Sequence, residues 1–301
     1  MGQISIIKSP PLKTVSALGR RLGHCDICPR VCGANRLAGK RGVCRAGRAV
    51  EVASTAIHQG EEPPISGTCG SGTIFFSHCS LHCMFCQNWP ISQKGIGGVM
   101  TIDGLADQMC HLQHRGVHNI NLVNPTHYWP QISAAVYLAR RRGLVIPILA
   151  NSNGFENIET LRYLQETVQI WLPDLKFGSA DLARQCSGVA ELPEISRRAI
   201  QWLWKTQGPL KIGADGLATG GVLVRHLALP GKISETRQVL RVLKRWFGPA
   251  LPLSLMTQYF PAYHAHQRSG FDRPLNAAEK ERALRIARRL GLVRGWRQHD
   301  G

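Results

Sequence analysis

The sequence contains no long apolar run. Its longest apolar stretches, such as residues 144–150, are far shorter than the roughly 18 residues that a membrane-spanning helix needs. The first 24 residues also lack the apolar core of a signal peptide. We therefore expect a cytoplasmic protein that has no membrane partner.

Acidic residues are scarce too, because 19 Asp and Glu stand against 37 Lys and Arg and leave a formal net charge of +18. Such a charge attracts polyanions. The basic residues, however, are spread over predicted helices, for example residues 140–142 and 241–245, instead of alternating with aromatic residues in one stretch. This distribution favours a solvated basic surface over a binding site for nucleic acid or an acidic partner.

The rest of the composition is that of a globular protein. With 44% hydrophobic residues, 31 glycines and 17 prolines in 301 residues, the chain is not disordered, collagen-like or coiled-coil, and it can bury a sizeable core. From residue 73 onward, short apolar runs alternate with helical stretches, which predicts βα units and a parallel sheet with the active site at the carboxyl ends of the strands. We predict strands at 73–77, 119–123, 145–150, 168–172, 221–229 and 253–259, and helices at 103–115, 131–142, 157–165, 193–206, 234–247 and 277–290.

Residues up to about 70 are rich in Gly, Cys and Arg and show little helical or strand periodicity. We interpret residues 1–70 as a small Cys-rich metal-binding segment, residues 71–262 as the α/β domain and residues 263–301 as a basic helical extension.

The sequence contains ten cysteines, and their spacing indicates metal binding. In the cytoplasm thiols stay reduced, and clustered thiols more often bind metal than form disulfides. Seven of the ten fall into two groups, which are Cys25, Cys28, Cys32 and Cys44, and then Cys79, Cys83 and Cys86. The remaining three are most simply interpreted as buried or free thiols, and they are Cys69, Cys110 and Cys186.

Cys79, Cys83 and Cys86 form a C-x3-C-x2-C run directly after the first predicted strand. Three thiolates on one loop can bind three irons of a cubane [4Fe–4S] cluster and leave the fourth iron open for a ligand. The alternative is a three-Cys zinc site completed by His78 or His82.

This spacing, with the aromatic Phe85 before the last cysteine, resembles the signature of the radical S-adenosylmethionine (SAM) superfamily. The similarity extends over nearly the whole chain and is greatest to proteins related to pyruvate formate-lyase activating enzyme, of the PflX-type branch. Its longest words are 28–32 (CPRVC), 70–76 (GSGTIFF), 119–127 (NINLVNPTH) and 172–176 (LPDLK).

The resemblance implies a partial (β/α)6 barrel, preceded here by the Cys-rich segment. It also implies a [4Fe–4S] cluster and SAM as cofactors, reductive cleavage of SAM to a 5′-deoxyadenosyl radical, and hydrogen abstraction from a substrate. Reduced flavodoxin or ferredoxin would be the electron donor, and a glycine on a partner enzyme the substrate. The alternatives are radical modification of another protein, an RNA or a small molecule, or a non-enzymatic basic iron–sulfur or zinc module.

Polar residues at the predicted strand ends supply candidate SAM ligands. Asp174 and Lys176 share one face of their strand, where a charged pair needs a ligand or each other. By resemblance these two residues bind SAM, and Phe85 lies near its adenine. The alternative for the pair is a structural ion pair. Asn151 begins a polar word that would bind the ribose or carboxylate, or make an ordinary turn.

Asn124 and Thr126 lie where many family members carry a Gly-Gly-Glu word that receives the methionyl amine, and this chain departs from that word. Both offer acceptors for the amine, while His127 would act as an acid/base group or cap the next helix. Arg225 is a fixed charge suited to gripping a carboxylate close to the cofactor.

Three further predictions concern the surroundings of the site. Gln258 and Tyr259, at the last strand end, would line the substrate opening. His58, Glu61 and Glu62 are expected in a solvated turn, with bracing of the two parts of the chain or an approach to the mouth of the active site as the alternatives. The four N-terminal cysteines form a closed ligand set, which suits either zinc or an auxiliary iron–sulfur cluster, and we favour the cluster.

Overall fold

The computed structural model describes residues 7–298. Its strands are β1 (Val50–His58), β2 (Ser71–Phe76), β3 (Gly98–Met100), β4 (Ile120–Val123), β5 (Ile148–Ser152), β6 (Ile170–Pro173), β7 (Lys211–Ile212), β8 (Ala218–Val222), β9 (Val224–Leu227), β10 (Leu253–Met256) and β11 (Gly295–Gln298). Its α-helices are α1 (Leu12–Arg20), α2 (Pro63–Ser66), α3 (Trp89–Ser92), α4 (Ile102–His114), α5 (Trp129–Arg141), α6 (Ile158–Tyr163), α7 (Ala180–Ser187), α8 (Leu192–Gln207), α9 (Ile233–Phe247) and α10 (Ala277–Arg289).

Parallel strands follow one another in chain order across the centre of the fold. One sheet has the order β3-β1-β2-β4-β5-β6-β8-β7, and a second has the order β11-β10-β9. Only Leu223 separates β8 from β9, and Asp174, just after β6, pairs with Arg225 of β9, so the parallel series continues from one sheet into the other. The predicted α/β class with six parallel βα units is therefore confirmed. Within residues 7–298 no strand pairing joins β3 to β11, so the barrel is not closed.

The central strands are apolar because both of their faces are covered. All four residues of β6 are buried, and a parallel strand with a helix layer over it has no polar face to present to water. Helices α4, α6, α7 and α10 begin at side chains that accept backbone N–H groups, as where Thr101 caps α4 and Asn276 forms a capping box with Glu279 in α10. Because strands β2, β4, β5, β6 and β8 pair in parallel, their carboxyl ends lie at the same edge of the sheet.

The N-terminal segment is more regular than its sequence indicates. The structure has α1 and the nine-residue strand β1 there, and β1 pairs antiparallel with β2. Neither element was predicted from the sequence, and β1 gains its hydrogen bonds from the distant strands β2 and β3. Leu18 and Ile27 join the same hydrophobic cluster as the central strands. The domain boundaries at residues 70 and 262 stay a prediction.

Several element boundaries differ from those predicted. The predicted strand 221–229 is interrupted at Leu223, and the predicted strand 253–259 ends at Met256. Helix α7 and strand β11 were not predicted, and β11 extends the second sheet by pairing parallel with β10. No helix in residues 7–298 is long and apolar enough to cross a membrane.

Candidate active site

A cavity of about 280 Å³ opens at the carboxyl ends of the parallel strands. It brings together ten of the predicted site residues, which come from the C-x3-C-x2-C loop and from five different strand ends. They are Cys79, Cys83, Phe85, Cys86, Asn124, Asn151, Asp174, Lys176, Arg225 and Gln258.

The loop that carries the three cysteines is held by hydrogen bonds from distant parts of the chain. Arg30 Nε donates to the Ser80 carbonyl at 3.1 Å, and the Met84 N–H donates to the Cys186 carbonyl at 2.8 Å. His264 N–H donates to the Met84 carbonyl at 3.0 Å. Because these partners belong to the N-terminal segment, α7 and the segment after β10, the loop is fixed from three sides.

Two glycines allow the chain after α3 to pass close under this loop. A Cβ on Gly95 would lie 2.3 Å from the His78 ring, and a Cβ on Gly97 would lie 2.1 Å from Ser77 Oγ. Both glycines have positive φ, at 70° and 155°. Larger residues would push Ser77 and His78 out of place, and these two directly precede Cys79.

Burial favours the protonated thiol at two of the cavity cysteines, Cys79 and Cys83. It raises the pKa of Cys79 to about 11 and also raises the pKa of Cys83, although the Lys176 ammonium opposes the shift at Cys83. Because iron binds the thiolate, metal binding at these cysteines releases their protons. The positive charge of the iron then balances the negative charge on the buried sulfurs.

The donor set suits an iron–sulfur cluster with one open iron. Three cysteine sulfurs line one cavity, and among residues 7–298 no three His, Cys, Asp or Glu side chains surround a single point that would hold one metal ion. In a cubane each cysteine binds a different iron, so its ligands do not share one point.

The two histidines considered for a zinc site are bonded elsewhere. His78 Nε2 lies 3.0 Å from a carboxylate oxygen of Glu51, and His82 Nδ1 lies 2.8 Å from Gln93 Oε1. Neither histidine lines the cavity. The geometry therefore favours the three-cysteine cluster over a Cys3His zinc site.

Asp174 and Lys176 form an ion pair at the cavity wall, with Lys176 Nζ donating to the Asp174 carboxylate. Burial opposes the charge of Lys176, but the adjacent Asp174 carboxylate outweighs it and the pKa of Lys176 is raised. Both side chains stay about one-fifth exposed, at 22% for Lys176 and 18% for Asp174. A ligand in the cavity can therefore reach both groups.

Arg225 is bound by two carboxylates of the protein. Its Nε donates to Glu62 Oε1 at 2.9 Å, and its Nη2 contacts Glu62 Oε2 and lies 2.5 Å from Glu61 Oε2. Glu62 is fully buried and the Glu61 side chain is nearly so, so the expected solvated turn was wrong for these two residues and they brace the chain instead, whereas His58 is exposed at the end of β1. Burial opposes the charge of Glu62, but Arg225 outweighs it and lowers the pKa of Glu62.

Three predicted site residues lie outside the cavity wall. Thr126 is buried and donates to Glu156 at 2.6 Å. The His127 ring is buried against Tyr128, its Nε2 lies 2.8 Å from the Ser77 carbonyl, and burial lowers its pKa to about 3. Tyr259 donates its hydroxyl to the Phe271 carbonyl at 2.7 Å. The structure thus directs none of the three into the cavity, because the polar group of each is hydrogen-bonded inside the protein.

Glu156 is a buried residue that the sequence analysis missed. Its carboxylate accepts hydrogen bonds from Thr126, from Ser152 Oγ at 2.6 Å and from Trp129 Nε1 at 3.1 Å, and burial raises its pKa. It ties the loop after β4 to the end of β5. Nothing in the sequence marks it, since an acidic residue in a polar turn is ordinarily solvated.

Phe85 lines the cavity. Its ring packs edge-on against Phe177 and Tyr259, with centroid distances of 6.2 Å and 5.9 Å. Tyr259 therefore contributes by supporting Phe85 and not by lining an opening.

The four N-terminal cysteines also lie near one another. Burial raises the pKa of Cys28 to about 12 against a hydrogen bond from the Arg30 backbone, and the charges of the other three cysteines raise it further. The Gly33 N–H and the Cys25 carbonyl are 3.0 Å apart, and a Cβ on Gly42 would lie 2.4 Å from Cys32 Sγ. The tight turns bring the thiols together, and the binding of zinc or an auxiliary cluster by them stays a prediction.

Two arginines connect this cysteine group to the cavity. Arg30 reaches Ser80 as described above, and buried Arg36 places Nη1 2.7 Å from the His127 carbonyl and 4.0 Å from Cys25 Sγ. The N-terminal segment is thus bonded to both the cysteine loop and the loop after β4.

The three isolated cysteines take no part in either group. Cys69 is exposed and precedes β2, at the opposite end of that strand from the cavity. Cys110 lies on α4 with its sulfur 3.8 Å from the Ala139 carbonyl, and Cys186 is buried on α7. All ten cysteines are free thiols.

Comparisons with known proteins give distant relatives. No protein-family model matches the chain. It is 28% identical over 279 residues to the uncharacterized protein MJ0674 of Methanocaldococcus jannaschii, covering 89% of this chain and 75% of that protein.

The solved structures that resemble the chain include anSMEcpe with bound AdoMet and Kp18Cys peptide, at 12% identity and a TM-score of 0.49. That match covers 78% of this chain and 62% of anSMEcpe, so the chain spans less than two-thirds of that protein. A second structure of anSMEcpe, with bound AdoMet, matches with a TM-score of 0.46 and 12% identity over 74% of this chain.

Proposed function

We propose that the protein is a radical SAM enzyme whose redox cluster is bound by Cys79, Cys83 and Cys86. The observation that carries the proposal is the convergence of these three thiols, on one rigid loop, with the polar ends of the parallel strands in a single cavity. Three ligands leave one iron for SAM.

Held by Cys79, Cys83 and Cys86, the cluster would supply one-electron reductive cleavage of SAM to methionine and hydrogen abstraction from a substrate, with the electron coming from a reduced donor. The protein binds and orients these groups and excludes water from them.

We expect the polar and the apolar side chains of the cavity to bind different parts of SAM. Asp174 and Lys176, which are partly exposed in the cavity wall, would bind its polar groups, and Asn151 and Gln258 would add hydrogen bonds. Phe85 supplies the apolar surface next to the cluster loop. Arg225 shapes the wall with a charge already balanced by Glu61 and Glu62.

The test is anaerobic reconstitution with iron and sulfide, followed by reduction and addition of SAM. We expect a reducible four-iron cluster and release of 5′-deoxyadenosine, both lost in Cys83→Ala. Cys110→Ala is the matched control, because its sulfur lies outside the cavity, and it should behave as wild type.

A wild-type protein that binds only zinc, or undiminished SAM cleavage by Cys83→Ala, would overturn the proposal. The same assay separates the enzyme from a non-enzymatic iron–sulfur or zinc module, since a module binds metal without cleaving SAM.

The donor and the substrate are narrower proposals. A reduced flavodoxin or ferredoxin is the proposed electron donor. The sequence resemblance supports activation of a glycyl-radical enzyme as the proposed reaction. The chain departs from that family where many members carry a Gly-Gly-Glu word, because Thr126 lies there and donates to Glu156. Radical modification of another protein, an RNA or a small molecule is the alternative. A stable glycyl-radical signal on a partner enzyme, formed only with SAM and donor present, tests the first.

A further inference from the structure

Hydrogen-bond donors surround two of the three cavity sulfurs. Asn153 Nδ2 lies 3.5 Å from Cys79 Sγ, and the Leu81 N–H lies 3.3 Å from the same sulfur. Ser92 Oγ lies 3.1 Å from Cys86 Sγ. Of these three donors, only Asn153 belongs to a stretch predicted to bind SAM, the polar word that begins at Asn151.

The orientation of the Asn153 amide is fixed by its other contacts. Its Oδ1 accepts the Phe155 N–H at 2.9 Å, so its Nδ2 faces Cys79 and also donates to Asn124 Oδ1 at 3.2 Å. The turn packs closely on the chain after β6, because a Cβ on Gly154 would lie 2.1 Å from the Asp174 carbonyl. The N–H is therefore held in place before any metal binds.

Iron binding changes the hydrogen-bonding role of the Cys79 sulfur from donor to acceptor. The protonated thiol donates to Asn124 Oδ1 at 3.4 Å, but a cysteine that binds iron has released its proton to solvent and can only accept. The Asn153 and Leu81 donors then remain at the sulfur. Hydrogen bonds to cluster sulfurs stabilise the extra negative charge of the reduced cluster, and they therefore raise its reduction potential.

We propose that Asn153 raises the reduction potential of the cavity cluster by donating its Nδ2 hydrogen to the sulfur of Cys79, and that the Ser92 hydroxyl does the same at Cys86. Asn153 is a positioning residue in this account, because it acts through Cys79. The inference rests on the proposed function.

The experiment is an anaerobic redox titration of reconstituted protein, following the paramagnetic signal that changes when SAM is added. In Asn153→Leu the N–H is lost, so at the wild-type midpoint the ratio of reduced to oxidised cluster should fall about two- to tenfold. Asn153→Asp keeps an oxygen for the Phe155 N–H, and its negative charge should lower the ratio further. Ser92→Ala should shift the ratio in the same direction.

Asn88→Leu is the matched control. Asn88 lines the same cavity, and none of the hydrogen bonds to cysteine sulfur in residues 7–298 comes from its side chain. Its midpoint should equal that of wild type.

Wild-type midpoints in both Asn153 variants, with full iron content, would overturn this inference and leave the proposed function intact. An equal shift in Asn88→Leu would overturn it as well, since the effect would not depend on the sulfur hydrogen bond. A wild-type protein without a reducible cluster would overturn the proposed function and the inference together.

Discussion

Glu62 is fully buried and places one carboxylate oxygen 2.9 Å from Nε of Arg225, which lies 163 residues later in the chain. Glu61 binds the same guanidinium from the next position along the chain. The charge of Arg225 is thereby balanced within the protein, and the turn before α2 is tied to β9. This contact gives Arg225 a structural role alongside its place in the cavity wall.

Arg225→Ala should therefore destabilise the fold. It leaves Glu62 buried without its counter-charge, and breaking a buried pair costs about 3–5 kcal/mol of unfolding free energy. Urea unfolding measures the loss. Arg162→Ala is the control, because its pair with Glu159 is exposed and contributes about 0.5 kcal/mol or less. Equal losses in the two variants would show that the Glu62 contact does not stabilise the fold.

His226 makes stability depend on pH. Burial lowers its pKa from 6.5 to about 4, while its two nitrogens contact the Leu175 carbonyl and Thr236 Oγ1. Below pH 6.5 the unfolded chain binds a proton that the folded protein does not, so stability falls with falling pH until about pH 4.

Between pH 7 and pH 5 this histidine should account for about 2 kcal/mol of lost unfolding free energy. In His226→Gln the difference between urea unfolding at the two pH values should shrink by that amount. An unchanged difference would mean that His226 titrates alike in the folded and unfolded states. His114→Gln, a substitution near the end of α4, serves as the control for replacing a histidine.

The parallel strands and the cavity were largely predictable from local signals. Apolar runs separated by helical stretches indicate where β4, β5 and β6 lie, and parallel strands must end at one edge of the sheet. That rule alone brings Asn124, Asn151 and Asp174 together around the C-x3-C-x2-C loop.

The residues that were misjudged are those whose partners are far away in the chain. Glu62 stands in an acidic, Pro-containing turn that is ordinarily solvated, and only the tertiary fold supplies Arg225. His127 follows a strand end, as a catalytic group would, but a short 3-10 helix over 126–128 turns its ring inward to Ser77. Local sequence pattern carries no information on either partner.

The N-terminal cysteines should bind a metal centre of their own. Replacing Cys28 and Cys32 together by Ser removes half of a four-thiolate set, so one centre should be lost while the cavity cluster keeps its spectrum. Iron and zinc analysis of wild type and variant identifies the metal. Equal metal contents in the two proteins would show that these cysteines are not ligands.

Substitution of Asp174 or Lys176 tests whether the two residues form only a structural ion pair or bind SAM. A surface ion pair contributes roughly 0–1 kcal/mol to stability and nothing to ligand affinity. Hydrogen bonds from charged groups to a bound ligand contribute about 1.5–3 kcal/mol each, so Asp174→Ala or Lys176→Ala should weaken SAM binding about ten- to a hundredfold with the cluster intact.

The affinity is measured by titrating SAM into the anaerobic protein and following the cluster's paramagnetic signal. Asp181→Ala is the matched control, because Asp181 forms an exposed pair with Arg184 on α7 and should leave the affinity unchanged. Wild-type affinity in both cavity variants would assign Asp174 and Lys176 to a structural pair, since each was removed from a cavity that still held its cluster.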